Sequence, residues 1–221
     1  MDKKELRAFF MQKRRSMSDE LRIKESQSII QQIRVDSRYK ESRVIALFYP
    51  MIFEVNLLSL LEDSKTFVFP RVEKDGIHFY PFSKKMVWHK SPFGVMEPEG
   101  NEIMDDIIDL MITPALAISK DLYRLGYGKG YYDQFLTKHR PKHVIGVIFS
   151  HEWVETLPKS SHDQILDDVI KGSLWILHWL WLLVQAHAQN LINQKFFMKL
   201  IISHYFFIVL RHLNPWGIPL F

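Results

Sequence analysis

The segment from residue 110 to residue 149 decides the fold. It holds the apolar runs LMIT (110–113) and VIGVIF (144–149) on either side of the glycine-rich stretch RLGYGKGYYD (124–133). Each apolar run has the length and composition of a buried strand, and residues 131–139 after the glycines have helical spacing. A strand, a loop, a helix and a second strand in this order are typical of a parallel βαβ unit. The segment therefore predicts an α/β domain.

The sequence before this segment extends the same pattern. Amphipathic spacing predicts two helices at the start of the chain, the second capped by Ser18. β-type runs at 44–49 and 66–69 enclose a further predicted helix, and Asp75-Gly76 marks a hairpin that adds antiparallel strands. We therefore predict a three-layer α/β fold over residues 1–170, with a largely parallel mixed sheet and helices on both faces.

The composition is that of a folded protein in a reducing compartment. The chain has 221 residues, of which 47% are hydrophobic and 24% charged, enough for one domain with a sizeable core. It contains no cysteine, which excludes disulfides, thiolate nucleophiles and Cys-ligated metals. The first residues, MDKKE, lack the apolar core of a signal peptide, so a cytoplasmic location is expected.

The charges are unevenly distributed along the chain. Residues 1–170 hold all 25 acidic residues and an equal number of Lys and Arg, whereas residues 171–221 hold four cations and no acid. The net charge of +4 therefore comes from residues 171–221, whereas residues 1–170 have no net charge. It does not indicate a surface for nucleic acid, and no nucleic-acid partner is expected.

Residues 171–221 form an atypical apolar C-terminal extension. Its longest apolar runs, at 174–184 and 200–210, are about 11 residues each, against the ~20 that a membrane-spanning helix needs, so no transmembrane span is expected. Three interpretations stay open: apolar helices that pack on the body or on a partner, an interfacial segment of a membrane-attached interaction protein, and an accidental extension such as a frameshifted terminus. The missing acids and caps favour the accidental extension, and a chain that ends near Gly172 is expected to stay soluble and active.

The glycine-rich stretch has the chemistry of an anion-binding loop. Three glycines at alternate positions let backbone N–H groups approach an anion, the following helix adds the partial positive charge of its N-terminus, and Arg124 and Lys129 add full charges. From the residues alone an ordinary structural turn is the alternative, and the spacing is not that of a Walker A motif. Asp133, one turn into the helix, is placed either to hold Mg²⁺ or to favour the helix dipole.

A second acidic cluster, HDQILDD (162–168), offers further carboxylates. Mg²⁺ takes only one or two protein carboxylates, so Asp133 and one acid of this cluster suffice; the alternative is a solvated turn that Asp163 caps. His162 is expected to orient a neighbour or face water, because no second histidine stands at zinc spacing.

The RLGYGKGYYD motif and its surroundings resemble the 5-formyltetrahydrofolate cyclo-ligase family, also called methenyltetrahydrofolate synthetase. The further landmarks are, in chain order, KKELR (3–7), Glu54-Val55, GVMEP (94–98), DLMITP (109–114) and His162-Asp163. The sequence departs from the family at residues 117–123, where the family has a Phe-Asp pair and a glycine before Arg-Leu-Gly. Asp121 is a candidate replacement for the lost acid.

The resemblance implies an enzyme of folate one-carbon metabolism, an ATP-dependent ligase that forms a C–N bond in a ring. With Mg²⁺ it converts 5-formyltetrahydrofolate and ATP into 5,10-methenyltetrahydrofolate, ADP and phosphate, and a monomer is expected. A catalytically silent homologue that binds folate or nucleotide is one alternative. A sugar-phosphate isomerase or CoA-transferase-like α/β enzyme is another.

The same resemblance implies roles for individual residues. The catalytic set is Lys129, Arg124 and Tyr131, and the metal ligands are Asp133 and Asp163. ATP is bound by Lys3, Arg7, Arg124, Gly126, Gly128, Lys129, Gly130 and Tyr132. The folate substrate is bound by Tyr49, Glu54, Tyr127, Gly128, Lys129, Gly130 and Tyr131. Without the resemblance, Lys3 and Arg7 read as a solvated basic face, Glu54 as an acid at a helix N-terminus, and Tyr49 as core packing.

Overall fold

A central sheet of six strands organises the structure, a computed structural model that describes residues 1–92 and 94–173. The helices are α1 (Lys3–Ser16), α2 (Asp19–Val35), α3 (Ser37–Glu41) and α4 (Tyr131–Lys138), with 3₁₀ turns at Leu58–Glu62, Asp105–Ile107 and Ser150–Glu152. The strands are β1 (Val44–Ala46), β2 (Thr66–Glu73), β3 (Gly76–Pro81), β4 (Trp88–Lys90), β5 (Met96–Pro98), β6 (Leu110–Pro114), β7 (Ala117–Ser119), β8 (Arg124–Leu125), β9 (His143–Ile148), β10 (Trp153–Val154) and β11 (Asp168–Lys171).

The central sheet has the strand order β11-β9-β6-β1-β2-β3. Neighbouring strands are parallel from β11 to β2. β3 at the edge runs antiparallel to β2, and the two form the predicted hairpin, in which Glu73 pairs with Gly76. The largely parallel mixed sheet predicted from the sequence is therefore confirmed.

Side chains that alternate along the strands bury both faces of this sheet. Ile45 of β1 belongs to a core cluster that contains Ile29 of α2. Its neighbour Ala46 belongs to a second cluster that contains Phe135 of α4. Because successive residues of a strand point to opposite faces, α2 and α4 cover opposite faces of the sheet. This arrangement gives the three layers that the sequence predicts.

Helix α1 packs against a smaller sheet of three strands in the order β10-β7-β8. Asp2 caps the helix through a capping box: its carboxylate accepts from Glu5 N at 2.8 Å, and the Glu5 carboxylate accepts from Asp2 N at 2.8 Å. Phe10 of α1 is buried in a cluster with Leu125 of β8. Since β8 leads directly into the glycine-rich loop, this packing brings α1 to the loop.

The predicted end of β2 at Phe69 is wrong, because the strand continues through Pro70 to Glu73. Phe82 N donates to Phe67 O, so residue 67 forms a hydrogen-bonded pair across the two strands. Hydrogen-bonded and non-hydrogen-bonded pairs alternate along an antiparallel ladder, so Pro70, opposite Phe79, is in a non-hydrogen-bonded pair. The N–H that Pro70 lacks would point away from β3, toward a side on which β1 pairs no further than Val68. The proline therefore removes no hydrogen bond from the ladder.

Two other elements are shorter than predicted. β1 ends at Ala46, and Phe48 and Tyr49 of the same apolar run leave the sheet to line a cavity. The helix predicted between β1 and β2 is only the 3₁₀ turn Leu58–Glu62. Asn56 Oδ1 accepts from Leu58 N, the first residue of this turn, at 3.0 Å.

β11 completes the sheet at the end of the described part of the chain. Gly172 N donates to Ile148 O at 2.9 Å, and Gln32 of α2 donates to Lys171 O at 2.8 Å. Residues 174–221, and with them most of the predicted extension, lie outside the described residues. Across the described ranges, every helix is too short or too polar to cross a membrane.

A chain truncated after Ser173 is expected to unfold in urea at the same midpoint as the full chain, because β11 and its contacts with α2 are kept. Circular dichroism measures the transition. Truncation after Asp167 is the matched control, since it removes β11 and the buried Ile170 and should cost at least about 2–3 kcal/mol of unfolding free energy. A midpoint that is lowered by truncation after Ser173 would show that the extension contributes to the fold.

Candidate active site

A cavity of about 990 Å³ lies at the carboxyl ends of the central strands. Phe48 and Tyr49 follow β1, Pro114 ends β6, and all three line the cavity. The glycine-rich loop, the first turns of α1 and α4, and the segment with Asp163 complete much of the lining. Ligands of open α/β sheets bind outside the carboxyl ends of the strands, so this cavity is the candidate active site.

The glycine-rich loop lies close to helix α1 at the wall of the cavity. Gly128 has a φ of +106°, which side chains with a Cβ rarely adopt, and Gly130 at the N-cap of α4 has a φ of +70°. A Cβ on Gly128 would lie 3.3 Å from Arg7 Cζ. Arg7 Nε donates to Gly126 O at 2.9 Å. Glycine at position 128 therefore allows both the loop conformation and the approach of Arg7.

Several cationic side chains line the cavity, and four of them define what we call its cationic part: Lys3, Arg7, Arg124 and Lys129. The Arg124 side chain is 4% exposed, and its Nη2 atom lies 2.9 Å from Asp133 Oδ1. Within the described residues, however, neither Nε nor Nη2 of Arg124 makes a hydrogen bond of acceptable geometry. Burial lowers the pKa of Arg124, and the charge of Asp133 opposes this shift. A buried guanidinium with unused donors fits an anionic ligand.

The two predicted metal ligands lie together beside the cationic part. Lys3 Nζ lies 2.5 Å from Asp163 Oδ2, which also accepts from Ser160 N at 2.7 Å. Gln164 N, from the residue after Asp163, donates to Asp133 Oδ1 at 3.0 Å. This bond joins the start of α4 to the acidic cluster, so both carboxylates reach the same region of the cavity.

The donor set in this region fits Mg²⁺ and does not fit zinc. Residues 1–92 and 94–173 contain no group of three or more His, Asp or Glu side chains that could hold a metal. Zinc sites need at least three protein ligands. Mg²⁺ prefers carboxylate oxygens and usually keeps waters and substrate phosphates as its other ligands, so Asp133 and Asp163 suffice.

The same cavity has four apolar lining residues, Phe48, Tyr49, Val72 and Ile77, which together with the acid Glu54 define what we call its apolar part. Glu54 is 7% exposed, and its Oε2 atom accepts from Met51 N at 2.8 Å. Burial raises the pKa of Glu54, and the Met51 N–H and the Tyr127 hydroxyl partly offset the shift. An apolar slot with one buried acid suits a flat ring that carries N–H donors.

Arg14 and Glu152 form a buried ion pair that the sequence analysis did not identify. Their side chains are 1% and 0% exposed, and Arg14 reaches Glu152 through Nε at 2.5 Å and Nη2 at 2.8 Å. Arg14 Nη1 also donates to the Tyr127 hydroxyl at 2.7 Å. In the sequence Arg14 belongs to the cationic run KRR (13–15), which is typical of a solvated face. The available signal is its position one turn after the buried Phe10.

All the residues that the sequence analysis predicts for the site line this one cavity. They are Lys3, Arg7, Tyr49, Glu54, Arg124, Gly126, Tyr127, Gly128, Lys129, Gly130, Tyr131, Tyr132, Asp133 and Asp163. Their individual roles stay predictions.

The segment that departs from the family motif forms a tight hairpin between β7 and β8. Asp121 pairs with Lys159 and accepts from Ser119 Oγ at 2.5 Å, and it does not belong to the described lining of the cavity. Asp121 therefore does not replace an acid in the site. Leu122, in the segment that lacks the glycine of the motif, has a φ of +63°.

Comparisons of the sequence with known proteins show its family. The sequence profile of the 5-formyltetrahydrofolate cyclo-ligase family matches residues 1–172. The 5-formyltetrahydrofolate cyclo-ligase of Mus musculus is 26% identical over 187 residues, which cover 76% of this chain and 92% of the mouse protein. The protein of the same name from Mycoplasma pneumoniae is 29% identical over 161 residues, with 69% and 88% of the two chains covered.

Two solved structures have the same fold. The 5,10-methenyltetrahydrofolate synthetase of Aquifex aeolicus superposes with a TM-score of 0.70 and 31% identity, over 77% of this chain and 90% of that one. The 5,10-methenyltetrahydrofolate synthetase of Mycoplasma pneumoniae superposes with a TM-score of 0.61 and 28% identity, over 77% and 98% of the two chains.

Gly128→Ala is expected to destabilise the protein by about 1–3 kcal/mol, because an alanine at this φ is strained and its Cβ meets Arg7. Urea unfolding measures the loss. Gly126→Ala is the matched control: its φ is not positive, and its Cβ meets only the end of the Arg124 side chain. A loss at Gly126 as large as that at Gly128 would contradict the conformational argument.

Proposed function

The chain belongs to the 5-formyltetrahydrofolate cyclo-ligase family, and we propose that its cavity closes the ring of 5-formyltetrahydrofolate at the expense of ATP. The products are 5,10-methenyltetrahydrofolate, ADP and phosphate. The observation that carries the proposal is that one cavity contains both the unused donors of buried Arg124 and an apolar part with the buried acid Glu54. The first suits a phosphoryl group and the second a pterin.

The chemistry needs activation of the formyl oxygen, which is a poor leaving group. That oxygen attacks the γ-phosphorus of ATP, and the bond to ADP breaks. N10 then attacks the activated carbon, the carbon–oxygen bond breaks, phosphate leaves with the former formyl oxygen, and N10 loses its proton to water. The reaction therefore needs groups that bind phosphate and hold N5-formyl close to N10, and it needs no covalent enzyme intermediate.

The cationic part supports the phosphoryl-transfer step. Charge on a transferred phosphoryl group is spread over its oxygens, and preorganised donors in a dry site stabilise it. Arg124 is already desolvated, so its donors need little further reorganisation when phosphate binds. Arg7 donates to the Gly126 carbonyl, and Lys129 belongs to the glycine-rich loop itself. Both cations are therefore placed beside a phosphate group that binds to this loop.

We propose that Asp133 and Asp163 hold a Mg²⁺ ion together with the phosphates of ATP. When bound, Mg²⁺ neutralises phosphate charge during the transfer. Lys3 holds Asp163, and the backbone of Gln164 holds Asp133, so this chain orients both carboxylates before any ion arrives.

The apolar part supports recognition of the folate. Its walls accommodate a flat pterin, and the carboxylate of Glu54 is an acceptor for pterin N–H groups. Tyr49 is fixed against Trp88, with ring centroids 4.8 Å apart, and gives the wall a rigid aromatic surface. Tyr127 and Tyr131 are proposed to contact the folate from the loop side.

A monomer is the proposed working form, because one chain supplies all the groups named above. The need for ATP also supports the proposed cytoplasmic location. A silent homologue that binds folate is distinguished by the assay itself, since it would bind 5-formyltetrahydrofolate and release no ADP.

Turnover is expected to require Mg²⁺, and Lys129→Ala and Asp133→Ala are each expected to lower kcat by about 10²-fold or more, because both groups serve charge on the transferred phosphoryl group. The absorbance of 5,10-methenyltetrahydrofolate measures the rate. Lys138→Ala, on the same cavity wall but outside the proposed set, is the matched control and should keep most activity. Near-normal turnover of a folded Lys129 or Asp133 variant would refute the assigned role.

Glu54→Gln is expected to weaken binding of 5-formyltetrahydrofolate by roughly 1.5–3 kcal/mol, because a neutral amide replaces a charged acceptor of the same shape. Binding of an ATP analogue should change little. Isothermal titration calorimetry measures both ligands, and Glu97→Gln, at the other glutamate of the described cavity lining, is the matched control. If Glu54→Gln weakens both ligands equally, Glu54 has a structural role instead.

A further inference from the structure

A chain of polar contacts leads from the buried Arg14 of helix α1 to the proposed pterin acceptor, Glu54. Arg14 Nη1 donates to the Tyr127 hydroxyl oxygen at 2.7 Å. The Tyr127 hydroxyl, whose own proton is free to point the other way, interacts with the Glu54 carboxylate. Arg14 therefore reaches Glu54 through one intervening hydroxyl.

Arg14 is held rigidly at the start of this chain. Its Nε and Nη2 donate to the two carboxylate oxygens of Glu152, and Nη2 also donates to Ala115 O. Glu152 is fixed in turn, because its Oε2 accepts from Phe149 N at 2.9 Å. The remaining nitrogen of the guanidinium group, Nη1, points to the Tyr127 hydroxyl. A bidentate pair fixes the plane of the guanidinium, so it also fixes the position of the Tyr127 hydroxyl.

Resting on the proposed function, we propose that Arg14 is a positioning residue which, through Tyr127, orients Glu54 and keeps it ionised for binding the pterin ring. Arg14 touches neither substrate nor reacting atoms in this proposal. Its effect on folate binding passes through Tyr127 and through its charge.

The charges around Glu54 support this effect. The groups that face it are Arg14 from α1, Tyr127 and Tyr132 from the glycine-rich loop and α4, and Glu152 from the 3₁₀ turn, with His151 Nε2 at 3.9 Å from Glu152 Oε1. Burial raises the pKa of Glu54 most strongly; among the charges, the attraction of Arg14 outweighs the repulsion of Glu152. Removal of the whole ion pair is therefore expected to raise this pKa further. Removal of Glu152 alone is expected to lower it.

These opposite expectations separate positioning from mere support of the fold. A Glu54 carboxylate that must be ionised binds folate more tightly as the pH rises through its pKa. The neutral pair Arg14→Met/Glu152→Gln should move the pH dependence of folate binding to higher pH, whereas Glu152→Gln alone should move it to lower pH. A supporting role predicts losses that are the same at every pH.

The experiment measures the Kd of 5-formyltetrahydrofolate between pH 5.5 and pH 8.5 by titration calorimetry, with a non-hydrolysable ATP analogue and Mg²⁺ present. The double variant removes both charges together, which avoids an unpaired buried ion and favours a folded protein. Arg14→Lys keeps the charge and is expected to keep the pH dependence near that of the unchanged protein. Thermal unfolding and the Kd of the ATP analogue are measured for each variant as controls.

The expected result is a weaker Kd for the double variant at the acidic end, with recovery at the alkaline end. Each pH unit by which the ionisation of Glu54 moves corresponds to about tenfold in affinity at the acidic end. A double variant whose pH dependence matches that of the unchanged protein, or an equal loss at every pH, would overturn the inference. If the unchanged protein forms no 5,10-methenyltetrahydrofolate, the proposed function fails instead, and the two failures are distinguishable.

Discussion

Contact between one face of helix α1 and the glycine-rich loop organises the whole cavity. Lys3, Arg7, Phe10 and Arg14 are spaced at four, three and four residues, so they share this face. Burial of Phe10 against Leu125 anchors the helix and contributes about 2–3 kcal/mol. From this anchor the three cations reach Asp163, the Gly126 carbonyl and the Tyr127 hydroxyl, respectively. A helix that sequence alone presents as a solvated basic surface therefore joins the regions that we propose bind the metal, the phosphates and the folate.

We propose that the cavity binds two chemically different ligands, because charged and apolar side chains line different parts of it. Arg124 is buried with unused donors, and its charge is balanced only in part by Asp133. A buried guanidinium costs free energy when its donors lack an acceptor, and an anion that accepts from them removes this cost. Such a site suits a phosphoryl group that is transferred from one substrate to the other. Glu54 is buried among apolar walls, where a carboxylate pays for desolvation unless N–H donors replace the lost water. In the proposed mechanism, these two regions hold both substrates and stabilise the reacting charges in advance, so ring closure needs no nucleophilic side chain.

The central sheet and the glycine-rich loop were predictable because their signals are local, whereas Lys3, Arg7, Tyr49 and Glu54 were assigned to the site only through the family resemblance. The apolar runs around residues 110 and 144 have the length of buried strands, and the glycine-rich loop has a specific order of residue types. The predicted end of β2 before Pro70 is wrong because a proline inside a strand disrupts no hydrogen bond where its missing N–H faces a neighbouring strand that has already ended. One sequence does not show which strands pair or where the pairing ends. The Arg14–Glu152 pair was missed for a related reason. Its partners are 138 residues apart, and an arginine inside a cationic run looks exposed until tertiary packing buries it.

The coupling of ATP cleavage to ring closure is the central claim, and one measurement tests it directly. Purified protein is mixed with 5-formyltetrahydrofolate, ATP and Mg²⁺, and 5,10-methenyltetrahydrofolate and ADP are quantified in the same samples over time. Equal amounts of both products, with neither formed when either substrate is omitted, are the result that our account predicts. Release of ADP without 5,10-methenyltetrahydrofolate, or ring closure without ADP, would contradict it.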